Sequence, residues 1–171
     1  SSRDVDDAQY SYRMLHLQAS IKYEQDELHG CKSFVDQCVA EDPDTVVARG
    51  AILYKEGDFE GAKNKFTEAM NALGYQPDLS YNIALCYYKM KDYGPALKNI
   101  AEIIARGVRE HPELSVGSNT DGVEVRSVGN SQTLKETALI EAFNLKAAIE
   151  FQTGRMDAAR EALSDMPPRN E

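Results

Sequence analysis

The sequence contains no run of about 18 apolar residues of the kind that crosses a bilayer, and no charged-then-apolar leader opens it. Positive charge is scarce. Lys and Arg number 19 against 28 Asp and Glu, for a net charge of −9, which argues against nucleic acid, whose phosphates need a basic face. There are three cysteines, Cys31, Cys38 and Cys86, and no CxxC pair. They read as small buried hydrophobes in a reducing compartment, not as a zinc or redox centre. Catalytic signatures are also missing: no phosphate loop, no HExxH, no Gly-x-Ser-x-Gly. His16, His29 and His111 are scattered, and Glu41, Asp42 and Asp44 read as linker and helix cap. The expectation is a protein that is not an enzyme and needs no cofactor or metal.

What the sequence does have is an internal echo. Residues 47–69, VARGAILYKEGDFEGAKNKFTEA, are followed by residues 81–103, YNIALCYYKMKDYGPALKNIAEI. Gly50 meets Ala84 and Ala62 meets Ala96, while Leu53 meets Tyr87, Tyr54 meets Tyr88, Phe59 meets Tyr93 and Phe66 meets Ile100, always 34 residues apart. Small residues let two helices approach; large ones fill the gap to the next hairpin, which a lone hairpin cannot cover. A fixed interval of this size on helix–turn–helix units is the signature of the tetratricopeptide repeat. The predicted fold is therefore all-α, a helix–turn–helix solenoid of about four repeats with one long loop insertion.

Taken in order, residues 1–9 read as a frayed polar leader or the tail of a preceding element. The first repeat, about 10–40, pairs a helix over 10–23 with one over 28–39; its Ala19 and Cys31 precede Gly50 and Ala62 by 31 residues. Pro43 ends that unit and Asp44 is expected to cap the next. The second and third repeats span about 44–74 and 78–110, with Gly74 as a stop and Pro77 as a start. Residues 113–131, rich in glycine and small polar residues, read as a long loop, either a partner contact or a tolerated insertion. A single helix over 133–152 and a second from Met156 form the fourth repeat, about 133–166; its Ala147 and Ala159 follow Ala84 and Ala96 by 63. Together these make one array over 1–171. No polar capping helix closes it and Ser1 opens it, so further repeats are expected on at least one side.

The first helix of each repeat should line a shared groove. Tyr23, Tyr54, Tyr88 and Phe151 occupy one inward position. Three residues earlier stand Ser20, Ala51, Leu85 and Ala148, and one turn before those His16, Val47, Tyr81 and Asn144. The candidate partner-binding set is Tyr23, Val47, Ala51, Tyr54, Tyr81, Leu85, Tyr88, Ala148 and Phe151, with Lys55 and Lys89 at its edge. Such an aromatic stripe either packs repeat against repeat or takes an extended, proline-containing peptide, whose faces stack on rings at low entropic cost. Asp78, Tyr81 and Leu85 stand where a carboxylate clamp would need cations, which argues against a chaperone-tail site. An assembly adaptor for client tails is the alternative reading. A third is a spacer whose loop at 113–131 makes the contact.

Several phrases are more specific than the generic repeat: LQASIKY (17–23), LYKEGDFEGAKNKF (53–66), GYQPDLSYNIALCYY (74–88), ALKNIAEIIARGVREHPEL (96–114), VEVRSVGN (123–130), EAFNLKAAIEFQTG (141–154) and DMPPR (165–169). In these the chain resembles the tetratricopeptide repeat protein 30 family, the intraflagellar transport protein 70 homologues, over almost everything after Met14. Arg49, where a small or apolar residue is usual, and the stretch 1–9 depart from it. The resemblance implies a non-catalytic subunit of the intraflagellar transport B core, acting in the cilium or flagellum and in the cytoplasm near the basal body. It implies a superhelix closing around a proline-rich segment of intraflagellar transport protein 52, contacts with other core subunits, and a transport role in tubulin polyglutamylation.

Overall fold

The structure, a computed structural model, describes residues 2–114 and 130–168. Most of the expected loop at 113–131 therefore lies outside the described residues. Among the described residues the chain is helical with no strand, and it divides into two compact units, the first ending at Gly74 and the second beginning at Tyr75.

The first unit holds two hairpins. Helix α1 (Ser2–Glu24) packs on α2 (Leu28–Val35), α2 on α3 (Pro43–Lys55), and α3 on α4 (Phe59–Leu73). In the second unit α5 (Pro77–Lys89) packs on α6 (Tyr93–Glu110). A 3-10 turn follows at Pro112–Leu114, then α7 (Ser131–Thr137), α8 (Leu139–Gln152) and α9 (Met156–Asp165). Helix α8 lies between α6 and α9. The hairpins thus pack as in a tetratricopeptide-type array, with α7 set aside against α5 and α8 while α6 packs on α8.

The helix boundaries differ from the sequence expectation in four places. Helix α1 begins at Ser2, not at residue 10; no glycine or proline interrupts the sequence before Gly30. Helix α2 stops at Val35, not at 39, because the last turn tightens. Gln37 N–H and Cys38 N–H reach back only three residues, to the Phe34 and Val35 carbonyls. The Cys38 thiol and Gln37 amide also turn back onto the Phe34 and Ser33 carbonyls, satisfying groups a helix end leaves open. The cap of α3 is Asp42, whose carboxylate accepts from Asp44 N–H at 3.0 Å, with Pro43 in the first helical position. Asp44 is the donor, not the cap. Finally, the expected helix over 133–152 is two helices, broken at Ala138, which is left-handed at φ 53°.

The hairpins repeat at the level of single hydrogen bonds. Each turn carries one left-handed residue: Asp26, Gly57, Lys91 and Gly154. Its N–H donates to the carbonyl three residues back and the next N–H to the carbonyl five back, as in Asp58 to Leu53 at 2.9 Å and Arg155 to Glu150 at 2.8 Å. This is the Schellman arrangement. Two of the four turn residues are not glycine, so the pattern lies in the backbone and not in a sequence word.

The expected small residues are buried where helices cross: Ala19, Cys31, Ala62, Ala84, Ala96, Ala147 and Ala159. At Gly50 the reason is explicit. A β-carbon there would lie 2.8 Å from Phe66 Cε1 and 3.2 Å from Lys65 Cβ, closer than packed carbons come. The missing side chain is what lets α3 lie on α4. Around these contacts Ala19, Cys31, Val35 and Ile52 form a core cluster in the first unit, and Ile100, Ile103, Leu145 and Ile149 form one among the alanines of the second.

Candidate functional site

The aromatic stripe sits in the last turn of each hairpin's first helix. Tyr23, Tyr54, Tyr88 and Phe151 are the residues whose carbonyls accept from Asp26, Gly57, Lys91 and Gly154. The turn geometry therefore fixes where each ring leaves the backbone, and the rings then meet different surroundings.

In the first unit, Tyr23 packs against the core of α1, α2 and α3. Lys55, at the end of α3, places its ammonium 3.8 Å over the Tyr23 ring. The same ammonium donates to the Tyr23 carbonyl and to Asp26 Oδ1, each at 2.6 Å. One cation thus ties the end of α3 to the turn of the preceding hairpin, through a cation–π contact and two charge-assisted bonds. Burial pushes the Tyr23 phenol above its ordinary range, with Lys55 pulling the other way. Burial likewise raises the Cys31 thiol, so Cys31 stays protonated and behaves as a small apolar group. Tyr54 is half-buried and meets Phe59 of α4 edge-on, ring centres 5.2 Å apart.

Beside Tyr23 a cleft of about 240 Å³ opens between α1 and α3. Three of the expected partner residues, Tyr23, Val47 and Ala51, line it, together with His16 and Ser20 from the same sequence register. Ala19, Ala48 and Cys31 complete its apolar wall, and Glu24 and Asp44 also line it. Sequence reasoning assigned the two acids to a turn and a cap; their place in the cleft follows from how α1 lies against α3.

In the second unit Tyr81, Leu85 and Tyr88 are half-buried against the core cluster of Ala84, Ile100 and Ile149. Burial raises the Tyr81 phenol, and the nearby Glu141 carboxylate pushes the same way. Tyr88 lies beside Tyr93, ring centres 6.1 Å apart, and the Tyr93 hydroxyl donates to Gln152 Oε1 at 2.8 Å. Ala148 is half-buried. Phe151 is 61% exposed, the most open of the expected aromatic positions.

One feature of the fourth hairpin has a sequence signal only in retrospect. Glu150 is buried and receives Arg155 in a two-point contact, Nε to Oε2 at 2.6 Å and Nη2 to Oε1 at 3.1 Å. The residue before the stripe is Lys22, Leu53 and Tyr87 in the other hairpins; a carboxylate there departs from the register, and Arg155 answers it across the turn. Among the described residues no group of three or more His, Cys, Asp or Glu is placed to hold a metal ion, and no helix is long and apolar enough to cross a membrane.

No protein-family model matches the chain. Individual relatives do. It is 60% identical over 167 residues to intraflagellar transport protein 70A of Xenopus laevis, covering 98% of this chain and 26% of that protein. Against intraflagellar transport protein 70A of Danio rerio the identity is 63% over 159 residues, covering 93% of this chain and 24% of the relative. Against intraflagellar transport protein 70B of Mus musculus it is 53% over 177 aligned positions, 98% and 27%. The chain spans about a quarter of the length of the curated relatives it matches. With the fold, the turn register and identity above half along nearly all its length, the chain belongs to the intraflagellar transport protein 70 family.

Proposed function

We propose that this chain is part of a non-catalytic scaffold of the intraflagellar transport B machinery, working in the cilium or flagellum and in the cytoplasm around its base. Its first helices bind an extended, proline-rich segment of another core subunit, for which intraflagellar transport protein 52 is the candidate, and it holds further B subunits during cilium assembly and axonemal transport. The names of its relatives support the transport role. The observation that carries the peptide reading is the cleft of the first unit, where the half-buried ring of Tyr23 comes together with Val47 and Ala51. At about 240 Å³ it falls below the ~300–1,000 Å³ typical of small-molecule sites. It suits the side chains of an extended segment better than a free ligand. Rings held by the fold lose little entropy on binding, which favours stacking on proline.

The test is binding of a proline-rich peptide to the wild-type chain and to variants, followed by fluorescence anisotropy. Ala51→Leu fills the cleft with a good helix former, and Tyr54→Ala with Tyr88→Ala removes two rings of the stripe. Loss of a central aromatic anchor weakens binding by roughly 2 kcal/mol. Affinity unchanged in both variants, with helicity intact, refutes the assignment. The adaptor for charged client tails is separated by salt, which weakens a charge clamp and leaves an apolar groove alone.

A further inference from the structure

Resting on the peptide-binding reading above, we infer that the cleft of the first unit selects an apolar residue of the partner segment that has a lysine or arginine beside it. The walls of the cleft divide by chemistry. Ala19, Ala48 and Ala51 are small, so an extended chain can approach the helix backbones closely, and Val47, Tyr23 and Cys31 supply apolar contact. The ionisable side chains of fixed charge that line it, Glu24 and Asp44, are both acidic, one from each of the two helices that form it, and both residues are exposed.

The Asp44 carboxylate is not the cap of its helix. The capping carboxylate of α3 is Asp42, and Asp44 contributes its N–H to that bond. The ammonium of Lys55 above the Tyr23 ring is held by Asp26 Oδ1 and the Tyr23 carbonyl. It is directed to the hairpin turn. An occupant with acidic flanks would meet two like charges. One with basic flanks gains two opposite charges beside the apolar wall. The net charge of −9 adds a field of the same sign, attracting a cationic segment before contact.

Three labelled peptides test this, sharing one proline-containing apolar core and carrying Lys, Gln or Glu on both flanks. Each is titrated onto the wild-type chain, Glu24→Gln, Glu24→Gln/Asp44→Asn and Ala51→Leu, with circular dichroism to verify folding. Both acids are exposed, so their amides retain the fold. The Lys-flanked peptide is expected to bind the wild type about threefold to tenfold more tightly than the Gln-flanked one, the range of two exposed ion pairs. The Glu-flanked peptide should bind more weakly than either. The Lys preference should shrink in Glu24→Gln, disappear in the double variant, and narrow at high salt. Equal affinity of Lys and Gln peptides, with Ala51→Leu weakening both, overturns the charge selection and leaves the peptide site standing. Binding of none of the three, or no effect of Ala51→Leu, overturns the site and the selection together.

Discussion

A methyl group added at Gly50 would meet the Phe66 ring at 2.8 Å, and Phe66 itself is buried at 3% exposure. The ring cannot swing away without opening the core between α3 and α4. Gly50→Ala therefore sets about 1 kcal/mol of gained helix propensity against an overpacking cost of about 1–3 kcal/mol. Net destabilisation of up to about 2 kcal/mol is expected, read as a lower urea midpoint with unchanged slope. If the ring contact is the cause, Phe66→Leu in the same chain should make the double variant less damaged than the two single effects added. Full additivity would place the cost elsewhere. This residue shows why the 34-residue echo was readable. The crossing of α3 and α4 leaves no room for a β-carbon at Gly50, and the matching position of the next hairpin holds a fully buried alanine, Ala84. The lining of the cleft by Glu24 and Asp44 was not readable in the same way, because an exposed acid near a helix end is also what a solvated turn or a cap requires.

At the scale of elements, the turns, the hairpins and most boundary shifts follow from local chemistry, and the break at Ala138 draws on tertiary packing. Apolar spacing over 133–152 has no breaker, so it reads as one helix; the structure breaks it at Ala138, a residue of high helix propensity. Two things hold the break. Leu134 is buried beside Leu114, Leu139 and Phe143, and the Thr137 hydroxyl donates to the Thr133 carbonyl at 2.8 Å. Such packing outweighs the ~1–2 kcal/mol cost of a left-handed alanine, and its contact with Leu114 lies outside any local window of sequence. The α8–α9 hairpin carries a sharper case. Its buried Glu150 depends on Arg155. Arg155→Ala strands that carboxylate; since the guanidinium is 64% exposed, the usual 3–5 kcal/mol for breaking a buried pair is discounted by solvent, to about 1–3 kcal/mol. Thermal melts should show the loss, and Glu150→Gln added to Arg155→Ala should recover part of it by removing the stranded charge. A double variant no more stable than Arg155→Ala would mean that the arginine acts through packing alone.

For the molecule as a whole, the two units share a chemical bias that makes stability depend on pH in one direction. Burial lifts the phenols of Tyr23 in the first unit and of Tyr75 and Tyr81 in the second, and the Cys31 thiol as well. The Lys55 ammonium is also held protonated at higher pH than usual, through its bond to Asp26. In each case the folded chain keeps its proton to higher pH than the unfolded chain. Between the two values unfolding releases protons, so stability falls as pH rises. The contribution is fully present below the unfolded values, about 8.5 for the thiol and about 10 for the phenols, and is lost above them. Every proton released also adds to a charge already at −9, so the long-range field works the same way. Melts at constant ionic strength should be level from pH 7 to 8 and drop steadily beyond pH 10, with tyrosinate absorbance rising alongside loss of helicity. Tyr23→Phe and Tyr81→Phe should each flatten the fall while leaving the neutral-pH melt nearly in place. A fall of equal steepness in both variants would assign it to the other ionisations, and no fall at all would contradict the burial of these rings.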